Sequence, residues 1–389
     1  MSDIENNESE LFSIADQSFM ERALELAKLG HYTTSPNPRV GCVIVKDGFI
    51  IGEGFHKKAG SGHAEVHALA QAGEQANGAI AYVTLEPCSH YGRTPPCAEA
   101  LIKAGISEVV VAMVDPNPKV SGNGIKLLEQ TGITTRVGLL NAEAKALNVG
   151  FVKLMEENTP YVRLKMATSL DGKTAMANGE SKWITGKLAR QDVQRLRAQS
   201  CTIICGADSV IIDQAKMTVR HSDLGQLANT YPEDEIRQPV RVVIDSRNRL
   251  TPDLELFKQN SPIIIICAES ESPLEKQQHW PHFVEHVQLP LVANANNEDK
   301  INLKALLSYM AKRGFNDLLV EAGATLAGAF VEQDLVDEFI LYQAPKLMGA
   351  EAKSMLAMPS VSHLASAKTL TIRETTMVGD DLRIIAQFR

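Results

Sequence analysis

The sequence predicts an α/β protein built from two domains. Its 389 residues exceed what one hydrophobic core ordinarily serves, so we expect two domains that each bury a core. In both halves, short runs rich in β-branched residues alternate with segments whose apolar residues recur at helical spacing, an order typical of sheets covered by helices. The polar residues 156–160, which end in Pro160, separate the halves. We therefore place the domains at residues 1–157 and 158–389.

The first half begins with an amphipathic helix and a hairpin. Residues 16–29 carry apolar residues at helical spacing, and Gly30 follows where a helix would end. Two β-rich runs, 40–46 and 49–55, flank the turn dipeptide Asp47-Gly48, a pattern that predicts a β-hairpin. The remaining elements alternate, with helices predicted over 63–71, 98–104 and 141–155 and strands over 79–85 and 108–114.

The second half repeats the alternation and ends in an antiparallel pair. Its predicted strands cover 161–167, 201–205, 240–245, 263–267, 317–321 and 338–343. Its predicted helices cover 186–199, 303–313 and 324–333. Two further β-type runs, 369–375 and 382–388, lie around Gly379-Asp380-Asp381, which predicts an antiparallel finish to the sheet.

Composition and charge indicate which kind of molecule the protein binds. The net charge is -8 and no Lys/Arg stripe with interleaved aromatic residues is present, so a nucleic-acid partner is not expected. The longest apolar run, residues 263–267, is far too short to cross a bilayer. The acidic N-terminus has neither the basic start nor the apolar segment of a secretory signal, which favours the cytoplasm. We therefore expect a small-molecule partner, and six reduced cysteines that are buried or bind metal.

A His-x-Glu pair followed by two cysteines indicates a zinc site. His63, Cys88 and Cys97 supply three ligands, which leaves the fourth position of a tetrahedral zinc ion open to water, as in catalytic zinc sites. Zinc lowers the pKa of that water towards neutrality, and Glu65 would move protons between water and substrate. The signature of zinc nucleobase deaminases is H-x-E followed by P-C-x-x-C, and Cys88 and Cys97 are farther apart than in that motif. His63 and Glu65 can face one metal only at a helix start, for which the bend Gly60-Ser61-Gly62 provides a place.

Each of these residues has a simpler interpretation when it is taken alone. A single cysteine is usually a small buried residue, and a single histidine is usually a surface or core residue. The combination of motifs in one segment is what favours zinc. His67 lies four residues after His63, but the metalloprotease motif needs Glu directly after the first His, where Ala64 stands. His67 and His90 are therefore interpreted as neighbours of the site or as surface residues.

The wide spacing of the two cysteines resembles that of one family. H-A-E-V-H-A-L together with P-C-S-H-Y-G-R-T-P-P-C is similar to the bifunctional riboflavin-biosynthesis deaminase-reductases, and the similarity extends to residues 34–41, 115–118, Gly122 and Gly124. The resemblance implies a cytidine-deaminase-like three-layer first domain whose loops line a pyrimidine pocket, with Asn37 as a contact to the base. Without the resemblance, the Asn-Pro pairs and glycines of these loops would be interpreted as ordinary turn formers.

The second half shows no Rossmann fingerprint. No G-x-G-x-x-G follows a predicted strand, so a Rossmann dinucleotide fold is not expected. Residues 320–328 run from a strand through small residues into a helix, which either lets backbone N–H groups approach a pyrophosphate or simply packs a strand against a helix. The resemblance implies a dihydrofolate-reductase-like second domain, matched most clearly at residues 165–173 and 180–185.

Within that domain, the resemblance assigns residues to the cofactor and to the substrate. The cofactor contacts that it implies are Ala167, Trp183, Ser209, Asp213, Ser246, Gly323, Ala324 and Thr325. The substrate contacts that it implies are Ser181, Arg197, Met217, Arg220 and Glu321. The guanidinium groups of Arg197 and Arg220 suit a ribose phosphate. Lys165 joins the catalytic set as an aid to ring opening, although a surface position is the commoner fate of a lysine.

The residues alone leave the nicotinamide cofactor ambiguous. Asp245 ends a predicted strand, as in NAD sites, whereas Arg247 and Arg249 would suit the 2′-phosphate of NADPH. The resemblance implies NADPH. The chain departs from the family after Asp213, where Gln214-Ala215 replaces the usual Asp-Pro, so the shape of this loop stays open.

The resemblance implies two sequential reactions. Zinc in the first domain would serve the removal of the 2-amino group from a diaminopyrimidinone ribosylamine phosphate, and NADPH in the second would reduce the ribosyl group to ribityl. Two alternatives stay open: a nucleic-acid deaminase with an accessory domain, and a zinc deaminase whose second domain is inactive and forms oligomers. We expect a homo-oligomer, either a dimer or a tetramer.

Overall fold

The computed structural model describes residues 11–91, 95–118, 120–269, 279–294 and 297–389. The chain separates into two units, Met1–Asn158 and Thr159–Arg389, and each has its own hydrophobic core. No helix in these described ranges is long and apolar enough to cross a membrane.

The first unit is a five-stranded sheet with helices packed on it. Its helices are α1 (Ile14–Lys28), α2 (Ala64–Ala72), α3 (Cys97–Lys103), α4 (Asn123–Gln130), α5 (Asn141–Leu147) and α6 (Val149–Glu157). Its strands are β1 (Gly41–Lys46), β2 (Phe49–Phe55), β3 (Ile80–Val83), β4 (Glu108–Val111) and β5 (Thr134–Val137). The strand order is β2-β1-β3-β4-β5, with antiparallel pairing of β1 to both neighbours and parallel pairing from β3 to β5.

The predicted hairpin and first helix are confirmed. Asp47 and Gly48 both adopt positive φ angles, 52° and 80°, which is the backbone that a two-residue hairpin turn requires. Ser13 caps α1 and forms a capping box with Asp16. Asp16 also accepts hydrogen bonds from Tyr82 of β3 and Arg136 of β5, so the start of α1 is tied to the sheet.

The predicted helix over residues 141–155 was wrong as a single element. The structure divides it into α5 and α6 at Asn148, whose φ of -123° lies outside the helical range. Oδ1 of Asn148 accepts the backbone N–H of Arg39, and Nδ2 donates to the carbonyl oxygen of Arg39. This pair of tertiary hydrogen bonds supports the break, and it holds the loop before β1 in place. Helix α4 and strand β5 have no counterpart among the predicted elements.

The second unit contains a nine-stranded sheet. Its helices are α7 (Lys187–Gln199), α8 (Ala207–Asp213), α9 (Leu227–Thr230), α10 (Leu303–Lys312) and α11 (Ala324–Glu332). The strands of the large sheet are β6 (Tyr161–Ser169), β8 (Thr202–Gly206), β9 (Val240–Ile244), β10 (Ile263–Ala268), β11 (Val284–Leu289), β14 (Asp317–Glu321), β15 (Glu338–Ala344), β17 (Leu370–Val378) and β18 (Asp381–Phe388). Short strands β7 (Lys173–Ala175), β12 (Leu291–Ala293), β13 (Asp299–Ile301) and β16 (Lys353–Ser354) form two small pairs, β12-β13 and β16-β7.

The large sheet is parallel except at its final hairpin. Its order is β11-β10-β9-β8-β14-β6-β15-β18-β17, and β18 pairs antiparallel with both β15 and β17, which confirms the predicted antiparallel finish. Alternate residues of the central strands enter different cores: Ile204 packs in one cluster and Ile203 in another. Because both faces of a parallel sheet are covered, such strands are apolar throughout, as in the run at residues 263–267.

Candidate functional site

Three potential metal ligands converge where two helices begin. His63 is the N-cap residue of α2, Cys97 is the first residue of α3, and Cys88 lies between β3 and α3. Nδ1 of His63 is 3.6 Å from Sγ of Cys88 and 3.3 Å from Sγ of Cys97. The three ligand atoms all lie within 4.8 Å of one another. The structure therefore brings together the three residues that the sequence indicated as metal ligands.

The spacing of these atoms fits a zinc ion. Zinc–nitrogen bonds of about 2.05 Å and zinc–sulfur bonds of about 2.3 Å at tetrahedral angles put nitrogen and sulfur about 3.6 Å apart. The two separations from His63 are close to that value. The backbone N–H of Cys97 donates to Sγ of Cys88 at 3.2 Å. Hydrogen bonds from Cys97 and His63 lower the pKa of Cys88 against the effect of burial, which favours the thiolate that zinc binds.

Close packing of α2 on the sheet directs Glu65 to the same place. A Cβ atom on Gly54 of β2 would lie 2.3 Å from the carbonyl oxygen of Ala64, so only glycine lets the helix approach this closely. Glu65 lies in the first turn of α2, is 3% exposed, and its Oε2 has no hydrogen-bond partner. Burial raises the pKa of Glu65 to about 7. A carboxyl group with this pKa can gain and lose a proton near neutrality, as a proton shuttle must.

A pocket of about 180 Å³ opens beside the metal ligands and contains Asn37. Nδ2 of Asn37 is 3.2 Å from Nε2 of His56, and Nδ1 of His56 is 3.2 Å from the carbonyl oxygen of Gly62. Since Nδ1 must donate to that carbonyl, Nε2 accepts from Asn37. Burial lowers the pKa of His56, which favours this neutral form. The histidine therefore holds the Asn37 amide in one orientation, with its NH₂ group towards His56.

The pocket combines loops implied by the resemblance with residues that the sequence analysis did not single out. Residues 34–41 and 115–118 contribute Asn37, Pro38, Val40, Asp115 and Asn117 to the lining. The residues not singled out are His56, Leu85, Glu86, Val120 and Phe151. Most of them carry no motif of their own, although Glu86 is next to the Pro-Cys pair. His90 also lines the pocket, whereas His67 does not, and residues 92–94 of the cysteine loop lie outside the described residues.

A second charged cluster lies in the large sheet. Lys165 of β6 and Glu321 of β14 are register partners on adjacent strands. Arg197 of α7 donates from Nε and Nη2 to the two carboxylate oxygens of Glu321 at 2.6 and 3.0 Å. Burial lowers the pKa of Lys165, whereas Arg197 lowers the pKa of Glu321 against the effect of burial. Glu321 therefore stays anionic beside a lysine that gives up its proton more readily than a lysine in water.

The expected cofactor contacts gather near the carboxyl ends of neighbouring parallel strands. Ser209 and Asp213 lie on α8, which follows β8, and Ser246 follows β9. Ala167 lies near the end of β6. Gly323 is the N-cap residue of α11, which follows β14, and Ala324 and Thr325 lie in the first turn of that helix. The order β9-β8-β14-β6 makes these four strands neighbours in the sheet. Trp183 is 64% exposed, with the Arg190 guanidinium 4.5 Å from its ring centroid. Ligands of open α/β sheets bind at this edge.

The expected substrate contacts are only partly available to a ligand. Ser181 is half-buried in the loop before Trp183. The Arg197 guanidinium is fully engaged, because Nε and Nη2 donate to Glu321 and Nη1 donates to the carbonyl oxygen of Thr218. The side chain of Arg220 is 51% exposed and pairs with Asp223 at 2.5 Å. Arg220 is therefore the better placed of the two arginines for a phosphate.

The loop with the atypical Gln214-Ala215 sequence takes an unusual backbone. Gln214 and Met217 both have positive φ angles, 51° and 54°. The Met217 side chain is 4% exposed and packs in a core cluster with residues such as Val210 and Leu250. Because this side chain is buried, Met217 could contact substrate only through the loop backbone or as part of the floor on which the substrate lies.

Asp245 and Arg249 differ in their access to a cofactor. Asp245 is 2% exposed, and its Oδ2 accepts the backbone N–H of Leu250 at 2.8 Å. It is therefore not presented to a ribose hydroxyl. Arg249 is exposed and pairs with Asp208 of α8 at 2.7 Å, one residue before Ser209. This arrangement agrees with a cofactor that carries a 2′-phosphate rather than a free 2′-hydroxyl.

Comparisons with known proteins match both units of the chain. The family model for the cytidine and deoxycytidylate deaminase zinc-binding region matches residues 13–113, and the model for the RibD C-terminal domain matches residues 160–383. The riboflavin biosynthesis protein RibD of Haemophilus influenzae is 48% identical over 375 residues, which are 96% of this chain and 97% of that protein. RibD of Escherichia coli K12 is 48% identical over 94% of this chain and 98% of its own length.

Solved structures agree with the sequence relatives. A structure of Acinetobacter baumannii RibD has a TM-score of 0.87 at 44% identity and covers 98% of this chain and 100% of its own. The Thermotoga maritima diaminohydroxyphosphoribosylaminopyrimidine deaminase/5-amino-6-(5-phosphoribosylamino)uracil reductase has a TM-score of 0.81 at 32% identity, covering 96% and 99%. The predicted fold class, a cytidine-deaminase-like domain followed by a reductase domain, is confirmed. On these grounds the chain belongs to the RibD family, the bifunctional deaminase-reductases of riboflavin biosynthesis, whose cofactors are zinc and NADPH.

Proposed function

We propose that residues 1–157 carry the deaminase reaction and residues 158–389 the reductase reaction. The separation of the chain into units at Asn158 and Thr159 supports this division. The Thermotoga maritima relative is named for a phosphoribosylaminopyrimidine deaminase and a phosphoribosylaminouracil reductase. We infer the same substrates for this chain: deamination of the diaminopyrimidinone ribosylamine phosphate first, and reduction of the ribosyl group of the product second.

For the deaminase, the proposal depends mainly on Glu65. Its buried carboxyl group has an oxygen without a partner, and it faces a pocket that His63 and Cys88 also line. His63, Cys88 and Cys97 would hold a zinc ion, which would supply a water of lowered pKa. Glu65 would take the proton that this water loses on attack at the amino-bearing carbon and pass it to the ring nitrogen. It would then take the second proton, from the hydroxyl group added to that carbon, and pass it to the amino group, which leaves as ammonia as the carbonyl forms.

Asn37 and its histidine partner orient the pyrimidine ring in this proposal. Because Nδ2 of Asn37 donates to His56, the Oδ1 atom of the amide is the group left to accept from an N–H of the ring. A neutral His56 keeps this orientation, since a protonated ring could not accept from the amide. The pocket therefore selects a substrate that donates a hydrogen bond at this point.

The charged cluster of the large sheet would serve the reductase. NADPH supplies the hydride when it is bound. Glu321, kept anionic by Arg197, would hold hydroxyl groups of the sugar, and Lys165 would donate a proton to the ring oxygen as the ring opens. Arg220 would bind the phosphate, and Arg249 the 2′-phosphate of the cofactor. We also propose the eight cofactor contacts named above, on the basis of their place at the strand ends.

Three measurements on purified protein test this proposal. Metal analysis should find about one zinc per chain, and an ammonia-release assay with the diaminopyrimidinone substrate should show turnover. The deaminated product should then support NADPH oxidation, followed by absorbance. A folded protein that binds no zinc and releases no ammonia would contradict the deaminase proposal. A protein that releases ammonia but never oxidises NADPH would indicate an inactive second domain.

We further propose that the chain forms a homo-oligomer, a dimer or a tetramer, in the cytoplasm. The edge strand β17 exposes Ile372 and Met377, each at 62%, and unpaired apolar edges are usually covered by a partner. None of the six cysteines, all of which lie in the described part of the chain, forms a disulfide, as expected in a reducing compartment. Light scattering should give a mass of two or four chains, and Ile372→Lys should lower that mass. A monomer at micromolar concentration would contradict the first proposal, and recovery of the protein outside the cytoplasm would contradict the second.

A further inference from the structure

A buried carboxylate to which no role has been assigned also lines the pocket, next to the turn that carries Cys88. Glu86 directly precedes Pro87-Cys88 and is 3% exposed. Its Oε2 accepts the backbone N–H of Asp115 at 3.1 Å and that of Gly122 at 2.9 Å. Its Oε1 accepts the N–H of Gly124 at 2.8 Å, with a longer contact at 3.4 Å to the N–H of Ile125. One side chain thus binds the backbone of residue 115 and that of residues 122, 124 and 125.

The carboxylate also replaces a helix cap that the local sequence lacks. Helix α4 begins after Gly122, which has a φ of 75° and no side chain to accept the free N–H groups of the first turn. Glu86, at a distance of more than thirty residues along the chain, accepts those groups instead. A negative charge at a helix N-terminus is favourable because the helix dipole is positive there.

The approach between the two segments is too close for a side chain. A Cβ atom on Gly124 would lie 2.0 Å from the carbonyl oxygen of Pro87, the residue before the metal ligand Cys88. Glu86 therefore holds the start of α4 against the Pro-Cys turn by its hydrogen bonds, and Gly124, which has no Cβ atom, leaves room for this close packing. The part of the chain held in this way carries Asp115, Asn117 and Val120, which line the same pocket as His63 and Cys88.

We propose that Glu86 is a positioning residue for the deaminase reaction. By fixing residues 115–118 and 120–125 against the turn that carries Cys88, it sets the distance between the wall that contacts the substrate and the metal site. The inference rests on the proposed deaminase function of this pocket. Its consequence is that loss of the Glu86 carboxylate weakens substrate binding and alignment without releasing the metal, because Glu86 contacts none of the three ligand atoms.

The test is Glu86→Gln, which keeps the size of the side chain but replaces one acceptor oxygen by an NH₂ group facing N–H donors. We expect kcat/KM for ammonia release to fall by about 10- to 100-fold, mainly through a raised KM, because misplacement of this order costs about that much. Zinc per chain should stay at the wild-type value. NADPH oxidation with the deaminated product, measured on the same polypeptide, should stay unchanged. Glu129→Gln, which removes an exposed carboxylate from the far end of α4, should leave every value unchanged.

Gly124→Ala provides a second variant that leaves the carboxylate in place. Because its new Cβ atom must push α4 away from Pro87, this variant should also raise KM while zinc is retained. It tests the proposal by itself if Glu86→Gln does not yield folded protein. Loss of zinc in proportion to activity in either variant would overturn the proposal, since Glu86 would then only support the metal site. Wild-type kinetics in both would overturn it as well. Failure of the wild-type protein to release ammonia would count against the proposed function instead.

Discussion

Two buried glutamates in this molecule have opposite pKa shifts, and the comparison shows how each domain uses charge. Glu65 in the first domain has an oxygen without a hydrogen-bond partner, and burial raises its pKa to about 7. Glu321 in the second domain has both oxygens paired with Arg197, which lowers its pKa despite burial. A group of the first kind can exchange a proton at neutral pH, whereas one of the second kind holds a fixed charge. The same residue type is thus suited to proton transfer in one site and to binding in the other.

The largest expected effect comes from removing the exchangeable proton. Glu65→Gln should lower kcat for ammonia release by about 10²- to 10⁴-fold, the usual contribution of a general acid–base group. Zinc content and NADPH oxidation should not change, and the free energy of unfolding should not fall, because no hydrogen bond to Oε2 is lost. Metal analysis, both activity assays and urea unfolding provide the readouts. Glu74→Gln, an exposed carboxyl just after α2, is the matched control. Retention of full deaminase activity would remove Glu65 from the mechanism.

Breaking the fixed charge should affect stability as well as activity. Glu321→Gln leaves the buried Arg197 guanidinium with an uncompensated charge, so we expect the second domain to lose about 3–5 kcal/mol of stability. Reductase activity should fall with it, while ammonia release by the first domain should continue below the new unfolding midpoint. Urea titration followed by the two activities separates these effects. If Glu321→Gln matched the wild-type protein in stability, the comparison between the two glutamates would fail.

A third buried carboxylate extends the comparison to a position with no catalytic role. Burial acts to raise the pKa of Asp16, but hydrogen bonds from Arg136 and Tyr82 lower it well below the ordinary value. Since the folded pKa is depressed, this stability is present above the unfolded pKa of about 4 and is lost as the pH falls below it. Asp16→Asn should cost about 1–3 kcal/mol at pH 7. The difference from wild type, measured by urea unfolding, should shrink below pH 4; a constant difference from pH 7 to pH 3 would contradict the interpretation.

The smallest expected effect concerns cofactor choice at the edge of the large sheet. Arg249 is exposed and already pairs with Asp208, so its contact with a 2′-phosphate contributes little compared with buried groups. Arg249→Ala should raise the Kd for NADPH about 3- to 10-fold and leave the Kd for NADH unchanged. Titration of nicotinamide fluorescence measures both constants. Arg373→Ala, an exposed arginine on the edge strand β17, is the control, and an equal change for both cofactors would exclude a role in phosphate recognition.

Much of the fold could be predicted because local sequence patterns specify it. The turn at Asp47-Gly48, the buried strand at residues 263–267 and the final hairpin all depend on neighbours in sequence, and all are present as expected. The helix predicted over residues 141–155 was wrong as one element because Asn148 forms hydrogen bonds with Arg39, more than a hundred residues away. Helix α4 was missed for a similar reason, since the group that caps it is Glu86.

The candidate metal site could be predicted from the sequence more fully than the charged site of the second domain. The metal ligands stand in short motifs, and their residue types limit the chemistry, so H-A-E with P-C and Cys97 sufficed to indicate a metal site. The pairing of Arg197 with Glu321 and the burial of the Asp245 side chain could not be predicted, because each depends on a partner from another strand or loop. His56 carries no motif, and only the fold shows that it orients Asn37.

By itself, the sequence determined the alternating α/β pattern and predicted two domains and a set of candidate zinc ligands, because these follow from residue type and from spacing along the chain. Only the tertiary structure decided which buried carboxylate is paired and which is not. Burial and hydrogen bonding are properties of atoms brought together from distant segments, and they set whether Glu65 exchanges a proton and whether Glu321 keeps its charge.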